Sequence, residues 1–379
     1  MSARPAAASS GTIPPVADPM PLLGIDHVEL WVGNAQQAAY FYERAFGFRR
    51  VGYRGLETGA RDRTSYALHQ GRVRLVLTGA LASGSPIAAH QRRHGDAVKI
   101  IALAVPDAAH AHDEAVRRGA RSVAAPRRER DDHGTVALAS IAAFGDTIHT
   151  FVTREAYDGP FLPGYAPVTT DVAPPENDVV IGLDHVVGNV ELGRMDEWVR
   201  FYERVFGMTQ MRHYSDKTIS TEYSALMSKV MADGRGRIKL PINEPAEGRR
   251  RSQVDEFLEF HEGPGAQHLA VTTRDIVATV AELRRRGVEF LAIPDEYYDD
   301  VPSRVPEVAR RLDGLRAQGI LVDRDNEGYL LQTFTKPVGD RPTLFWEVIE
   351  RHGARGFGDG NFKALFEALE REQARRGNL

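Results

Sequence analysis

Gly24-Ile-Asp-His27-Val-Glu-Leu-Trp-Val32 returns later in the chain as Gly182-Leu-Asp-His185-Val-Val-Gly188, and this recurrence decides the fold. The segments that follow recur in the same order. Phe41-Tyr-Glu-Arg-Ala-Phe-Gly47 comes back as Phe201-Tyr-Glu-Arg-Val-Phe-Gly207, and Val116-Arg-Arg-Gly119 as Arg284-Arg-Arg-Gly287. In the last pair the glycine stands where an amphipathic helix needs its terminating residue. Two homologous halves are therefore expected, at 21–158 and 181–379, joined by a Pro-rich connector at 159–180. Each half divides again. A strand (24–32), a helix (about 35–46) and three strands ending near Gly79 are followed by a strand (98–105), a helix (108–119) and strands through Val152. The order repeats from Gly182 to Leu240 and from Ala266 to Ile349. Four βαβββ units, paired within each half, predict an α+β fold of two tandem open β-barrels.

The bulk properties exclude several classes. The chain has 379 residues, enough for two well-developed cores, with 42% hydrophobic and 26% charged side chains. A net charge of −4 argues against a nucleic-acid partner, and Arg249-Arg250-Arg251 reads as a solvated loop. The sequence contains no cysteine, which removes disulfides, thiolate ligands and thiolate nucleophiles. No apolar run approaches the ~20 residues needed to span a bilayer. Residues 1–20 are Ala/Pro/Ser-rich without an apolar core, so they read as a disordered tail rather than a signal peptide, in a cytoplasmic protein.

Within Thr343-Leu-Phe-Trp-Glu347-Val-Ile-Glu350, strand periodicity places Glu347 on the face of Phe345 and Ile349. A carboxylate on an apolar face is costly unless something positive meets it. His185 and His268, the latter in Gly265-Ala-Gln-His268-Leu-Ala-Val271, occupy similar settings at equivalent points of paired units. Two imidazoles and a carboxylate on three strands suit an octahedral Fe(II) with three positions left open, one ion per chain. Gln267 would point away from His268, to the opposite face. In the first half His27 matches His185, but Ile100 stands opposite His268 and Thr147-Ile-His-Thr-Phe-Val152 offers no acid. That half is expected to be metal-free, with His27 and His149 as structural residues. After Glu347 come the glycines of 353–360 and a closing helix at 361–375. Phe362, Leu365, Phe366 and Leu369 form its apolar stripe. Packing element and mobile lid are both open readings of it.

Several stretches together resemble the 4-hydroxyphenylpyruvate dioxygenases of the vicinal-oxygen-chelate fold. They are Leu240-Pro-Ile-Asn243-Glu-Pro245, Phe257-Leu-Glu-Phe-His-Glu-Gly-Pro-Gly-Ala-Gln-His268, Leu331-Gln-Thr-Phe334-Thr-Lys-Pro337, Phe345-Trp-Glu347-Val-Ile-Glu-Arg351 and Gly356-Phe-Gly-Asp-Gly-Asn-Phe362-Lys-Ala-Leu-Phe-Glu367. The resemblance covers nearly everything after residue 20, more loosely in the first half. It implies a non-haem Fe(II) enzyme of tyrosine catabolism acting on 4-hydroxyphenylpyruvate and O2. The 2-oxo acid would chelate the iron. Oxidative decarboxylation, ring hydroxylation and side-chain migration would then give homogentisate and CO2. The family's site positions map onto Ser224, Asn243 and Gln332 as catalytic amides and hydroxyl. They map onto Gln253, Phe334, Phe345, Phe357, Asn361 and Phe362 as substrate contacts, and the resemblance also implies a homo-oligomer, dimer or tetramer. Three rivals remain. A hydroxymandelate synthase shares fold, metal and substrate, but its family pattern has aliphatic residues where Asn243 and Phe362 stand. A metal-free binding module is countered by the intact triad. An extradiol ring-cleaving enzyme would need acid–base histidines that have no counterpart here.

Overall fold

The computed structural model describes residues 20–168, 179–214, 225–246 and 251–378. The remainder, which includes nearly all of the expected tail, half of the expected connector, Ser224 and Arg249-Arg250, lies outside the described residues. The first half carries strands β1 (Gly24–Trp31), β2 (Arg49–Arg54), β3 (Arg63–Gln70), β4 (Val73–Ala80), β5 (Ala97–Ala104), β6 (Ser122–Asp131), β7 (Gly134–Ala142), β8 (Ile148–Glu155) and β9 (Ala166–Pro167). The second carries β10 (Gly182–Asn189), β11 (Thr209–Tyr214), β12 (Ala225–Ala232), β13 (Lys239–Ala246), β14 (Gly265–Thr272), β15 (Leu321–Arg324), β16 (Tyr329–Phe334) and β17 (Phe345–His352). Their orders are β6-β7-β8-β5-β1-β4-β3-β2-β9 and β11-β12-β13-β10-β14-β17-β16-β15.

Each unit thus runs first–fourth–third–second strand, and sister units meet at an antiparallel seam, β1 with β5 and β10 with β14. Within a unit the first and fourth strands are parallel, which requires the crossover helix that the sequence supplies. β14, a seam strand, is buried on both faces from Gly265 to Val271, Gln267 and His268 included. The first helix is shorter than its apolar pattern suggests. It is α-helical over Ala35–Phe41 and widens to a π-turn over Tyr42–Phe46.

The halves interlock through matching contacts. Trp346 of β17 is fully buried against Tyr42, Phe46 and Phe48 of the first half. His149, at the corresponding place on β8, meets Tyr202 and Phe206 of the second. The first part of the expected connector is not a free spacer: β9 pairs with β2, and Phe161 and Tyr165 are buried with Ala67 and Val76 inside the first barrel. No described helix is long and apolar enough to cross a membrane.

Candidate metal centre

His185, His268 and Glu347 come from β10, β14 and β17, and their ligand atoms all lie within 4.8 Å of one another. Glu347 Oε2 is 3.1 Å from His185 Nε2 and 3.4 Å from His268 Nε2. Atoms about 2.1 Å from one ion and at right angles around it lie about 3 Å apart, so the two carboxylate–imidazole distances suit ligands of a single ion. Hard nitrogen and oxygen donors, without a thiolate, suit a divalent ion such as iron or manganese. Burial alone would raise the Glu347 carboxyl, but the facing imidazoles outweigh it and hold the group at about 2. Burial would lower His185, yet Glu347 and Asp184 together push it up; His268 is lowered by burial, only partly offset by Glu347.

Both imidazoles are oriented by the residue that precedes them. His185 Nδ1 is 2.8 Å from Asp184 Oδ1, and His268 Nδ1 is 3.1 Å from Gln267 Oε1. Such partners fix the ring and leave Nε2 as the ligand. Adjacent strand residues should face opposite ways, so this arrangement needs a local fault. The fault is a β-bulge at each site. Leu183 pairs with Val271 but His185 with Ala270, and Val187 pairs with His268 but Gly188 with Ala266. Asp184 and Gln267 are the extra residues, re-aimed toward the side of their histidines. The expectation that Gln267 faces away from the site is therefore wrong, and the bulge is the reason.

A pocket opens above the three residues. Asn243, Gln253, Gln332, Phe334, Phe345, Phe357 and Phe362, all positions that the resemblance singles out, line it. Gln332 is only 1% exposed and neither of its amide atoms has a partner among the described residues, so both are open to a ligand. Gly358 makes this possible: at φ +83° it sits against that amide, where a Cβ would lie 2.2 Å from Gln332 Nε2. Phe345 stacks on the His268 ring at 4.8 Å, and Phe357 stands edge-on to His185 at 5.1 Å. Asn361 is not among the lining residues. It is fully buried, and its Oδ1 accepts from Tyr297 Oη at 2.6 Å.

The profile of the Glyoxalase/Bleomycin resistance protein/Dioxygenase superfamily matches residues 24–148 and 182–331, the two halves separately. Among solved structures, a mutant of 4-hydroxymandelate synthase from Streptomyces coelicolor superposes with a TM-score of 0.84 at 37% identity, covering 93% of this chain and 100% of its own. The curated 4-hydroxyphenylpyruvate dioxygenase of Dictyostelium discoideum is 46% identical over 94% of this chain and 100% of its own, and that of Yarrowia lipolytica 45% identical over 94% and 93%. The chain belongs to the 4-hydroxyphenylpyruvate dioxygenase family.

Several residues of this dioxygenase's pocket escaped the sequence reading: Ser228, Gln267, Val187, Leu226, Val230 and Leu365 among them. Ser228 faces Asn243 across the β12–β13 ladder, a register that could have been traced from Asn243 outward. The first half repeats the histidine's surroundings without a metal set. His27 Nδ1 is 2.7 Å from Asp26 Oδ1, and Asp26 takes both arms of Arg154, at 2.9 and 2.8 Å. Ile100 pairs with Glu29 as His268 does with Val187, and Thr150 lies opposite Ala102 as Glu347 does opposite Ala270. Phe161 packs edge-on to His27 at 5.0 Å. His149 is satisfied by Ile101 O at 3.1 Å and Tyr202 Oη at 2.9 Å.

Proposed function

We propose that this chain converts 4-hydroxyphenylpyruvate and O2 to homogentisate and CO2 at one Fe(II) held by His185, His268 and Glu347. The observation that carries the reading is the ligand set at the floor of a pocket whose other polar groups are neutral amides and a hydroxyl. Among the described residues Glu347 is the only acid of the lining, and no lysine or arginine joins it. A dication, one carboxylate ligand and one substrate carboxylate sum to zero, which an apolar chamber tolerates. Bound there, iron supplies the redox chemistry and the open positions for a 2-oxo acid and dioxygen.

The protein's own contribution is positioning and exclusion of water. The unpartnered Gln332 amide can donate to and accept from the substrate's oxygens, with Asn243 on the adjoining wall. Phe334 and Phe345, edge to face at 6.2 Å, and Phe357 and Phe362 enclose an aromatic ring and fix which carbon lies nearest the metal. Ring rather than benzylic attack depends on that hold. The synthase relative makes hydroxymandelate the second reading; Asn243 and Phe362, both lining the pocket, favour homogentisate. The test is aerobic incubation of the Fe(II)-loaded protein with 4-hydroxyphenylpyruvate and chromatography of the products. Homogentisate is expected; hydroxymandelate as the main product overturns the assignment.

A further inference from the structure

We propose that the Arg351 guanidinium couples the C-terminal cap of the pocket to the metal ligand His185, so that metal binding orders the cap and an ordered cap tightens the metal. Arg351 is a positioning residue that touches neither metal nor substrate. It lies on β17, four positions beyond Glu347, and its planar fork divides between two sites. On one side Nε and Nη2 donate to Asp184 Oδ2 and Oδ1 at 2.8 and 2.9 Å. Asp184 is the carboxylate that receives His185 Nδ1, and Lys239 supports it at 3.2 and 3.3 Å. On the other side Nη1 donates to the carbonyls of Ala354 and Gly356, at 3.2 and 2.6 Å. These two residues form the turn from β17 into the cap. Phe357 lies over the same guanidinium at 5.6 Å and against the His185 ring. The ligand's orienting carboxylate and the cap's entry backbone thus hang on one rigid group. Displacing the turn leaves Nη1 without its carbonyls and tilts the fork that holds Asp184. A coupling of this kind must be reciprocal.

The first half supplies an internal control. There Arg154 grips Asp26 with both arms, donates to the Phe161 carbonyl and lies under the Phe161 ring at 5.3 Å. That clamp serves a histidine with no metal partners, so its loss should affect the local fold alone. Asp325 gives a second handle. Its Oδ2 accepts the amides of Arg355 and Gly356 at 2.8 and 2.7 Å, fixing the same turn from the opposite side without reaching Asp184.

The inference rests on the metal reading above, and the experiment separates the two. Amide hydrogen exchange of residues 354–366 is followed anaerobically in the full chain, with and without Fe(II), alongside Fe(II) titration. In the wild type, Fe(II) is expected to slow exchange of this segment at least several-fold. Arg351→Lys, which keeps the charge but not the fork, is expected to bind Fe(II) roughly tenfold more weakly and to lose most of the metal-dependent protection. Arg154→Lys is expected to change neither quantity, and Asp325→Asn to loosen the cap and weaken Fe(II) together. Fe(II) that fails to bind the wild type would sink the metal reading itself. Fe(II) that binds while leaving wild-type exchange unchanged overturns the coupling, and this measurement needs no variant to fold. Full protection retained in Arg351→Lys overturns the role given to Arg351.

Discussion

At the scale of single residues, the chemistry turns on a carboxylate kept ionised in a buried place. Glu347 is 3% exposed, and the two facing imidazoles outweigh the effect of burial and keep its carboxyl at about 2. Removing its charge should therefore act on the metal and on the fold together. Glu347→Gln is expected to lower Fe(II) occupancy more than tenfold and to lower the metal-free melting temperature at neutral pH, since a buried carboxylate paired with two imidazoles contributes stability that goes with its charge. Metal analysis and a thermal melt of the stripped protein check both halves of that statement. The phenylalanines offer a different readout. About 1.4 kcal/mol between ring and benzylic attack shifts the product ratio tenfold, and truncating a packed phenylalanine, even a half-buried one such as Phe362, removes packing of about that order. Phe362→Val is expected to divert a detectable fraction of product to hydroxymandelate; a variant that merely makes less homogentisate would sink the clamping argument. The triad was legible because a histidine or glutamate amid apolar strand neighbours stands out and the repeat aligns its positions. Asp184 and Gln267 were not legible as orienting partners, because a one-residue bulge leaves no mark in a single sequence while reversing the face of the residue it inserts.

The C-terminal helix is the element on which the pocket closes. It runs Phe362–Arg376 and bridges two apolar groups that flank the pocket. One comprises Leu226, Val230, Val254, Phe357 and Phe366; the other Leu291, Leu321, Phe334, Phe345, Leu365 and Ala368. Its far end is tied down by Arg376 and Asn378, which donate to Glu256 at 2.7–3.1 Å. The stripe of Phe362, Leu365, Phe366 and Leu369 was readable from its spacing. That it would span two separate clusters was not, because the partners come from β12, β16, β17 and a helix more than a hundred residues upstream. A chain ended before Gly356 is expected to keep its two barrels but to admit water above the metal. Fe(II) should still bind, though more weakly, and homogentisate formed per O2 consumed should fall well below the wild-type yield. An oxygen electrode combined with chromatography measures it. An unchanged yield would reduce the helix to packing alone.

Across the whole molecule, the repeat visible in the sequence becomes a joint between halves lined with buried imidazoles. His149 inserts toward Tyr202, and His90, His94 and His261 form a second cluster with ring centroids 4.5 and 4.3 Å apart. His90 and His94 lie on the first half's helix Pro86–His94, and His261 closes the helix Gln253–Phe260 of the second. The repeat predicted two halves but not this cluster, since none of these histidines has a repeated counterpart or a patterned neighbour. Burial holds His90 and His261 near 3, with His94 adding to both, and burial holds His149 near 4. The sign follows from comparison with an unfolded value of about 6.5. Above that pH neither state binds the proton and these groups leave stability unchanged. Below it the unfolded chain takes up protons that the folded protein refuses, so stability falls as pH drops from 6.5 toward 4, and at pH 5 each such histidine costs on the order of 2 kcal/mol. Other groups titrate in the same range, so the difference between variants is the quantity to read. His149→Gln is expected to be less stable than wild type at pH 7.5, because it disturbs a satisfied buried pair, yet to lose less stability between pH 7.5 and 5. Urea unfolding of the metal-free protein at both pH values decides this, and equal acid losses in the two proteins would show that the joint does not carry the acid sensitivity.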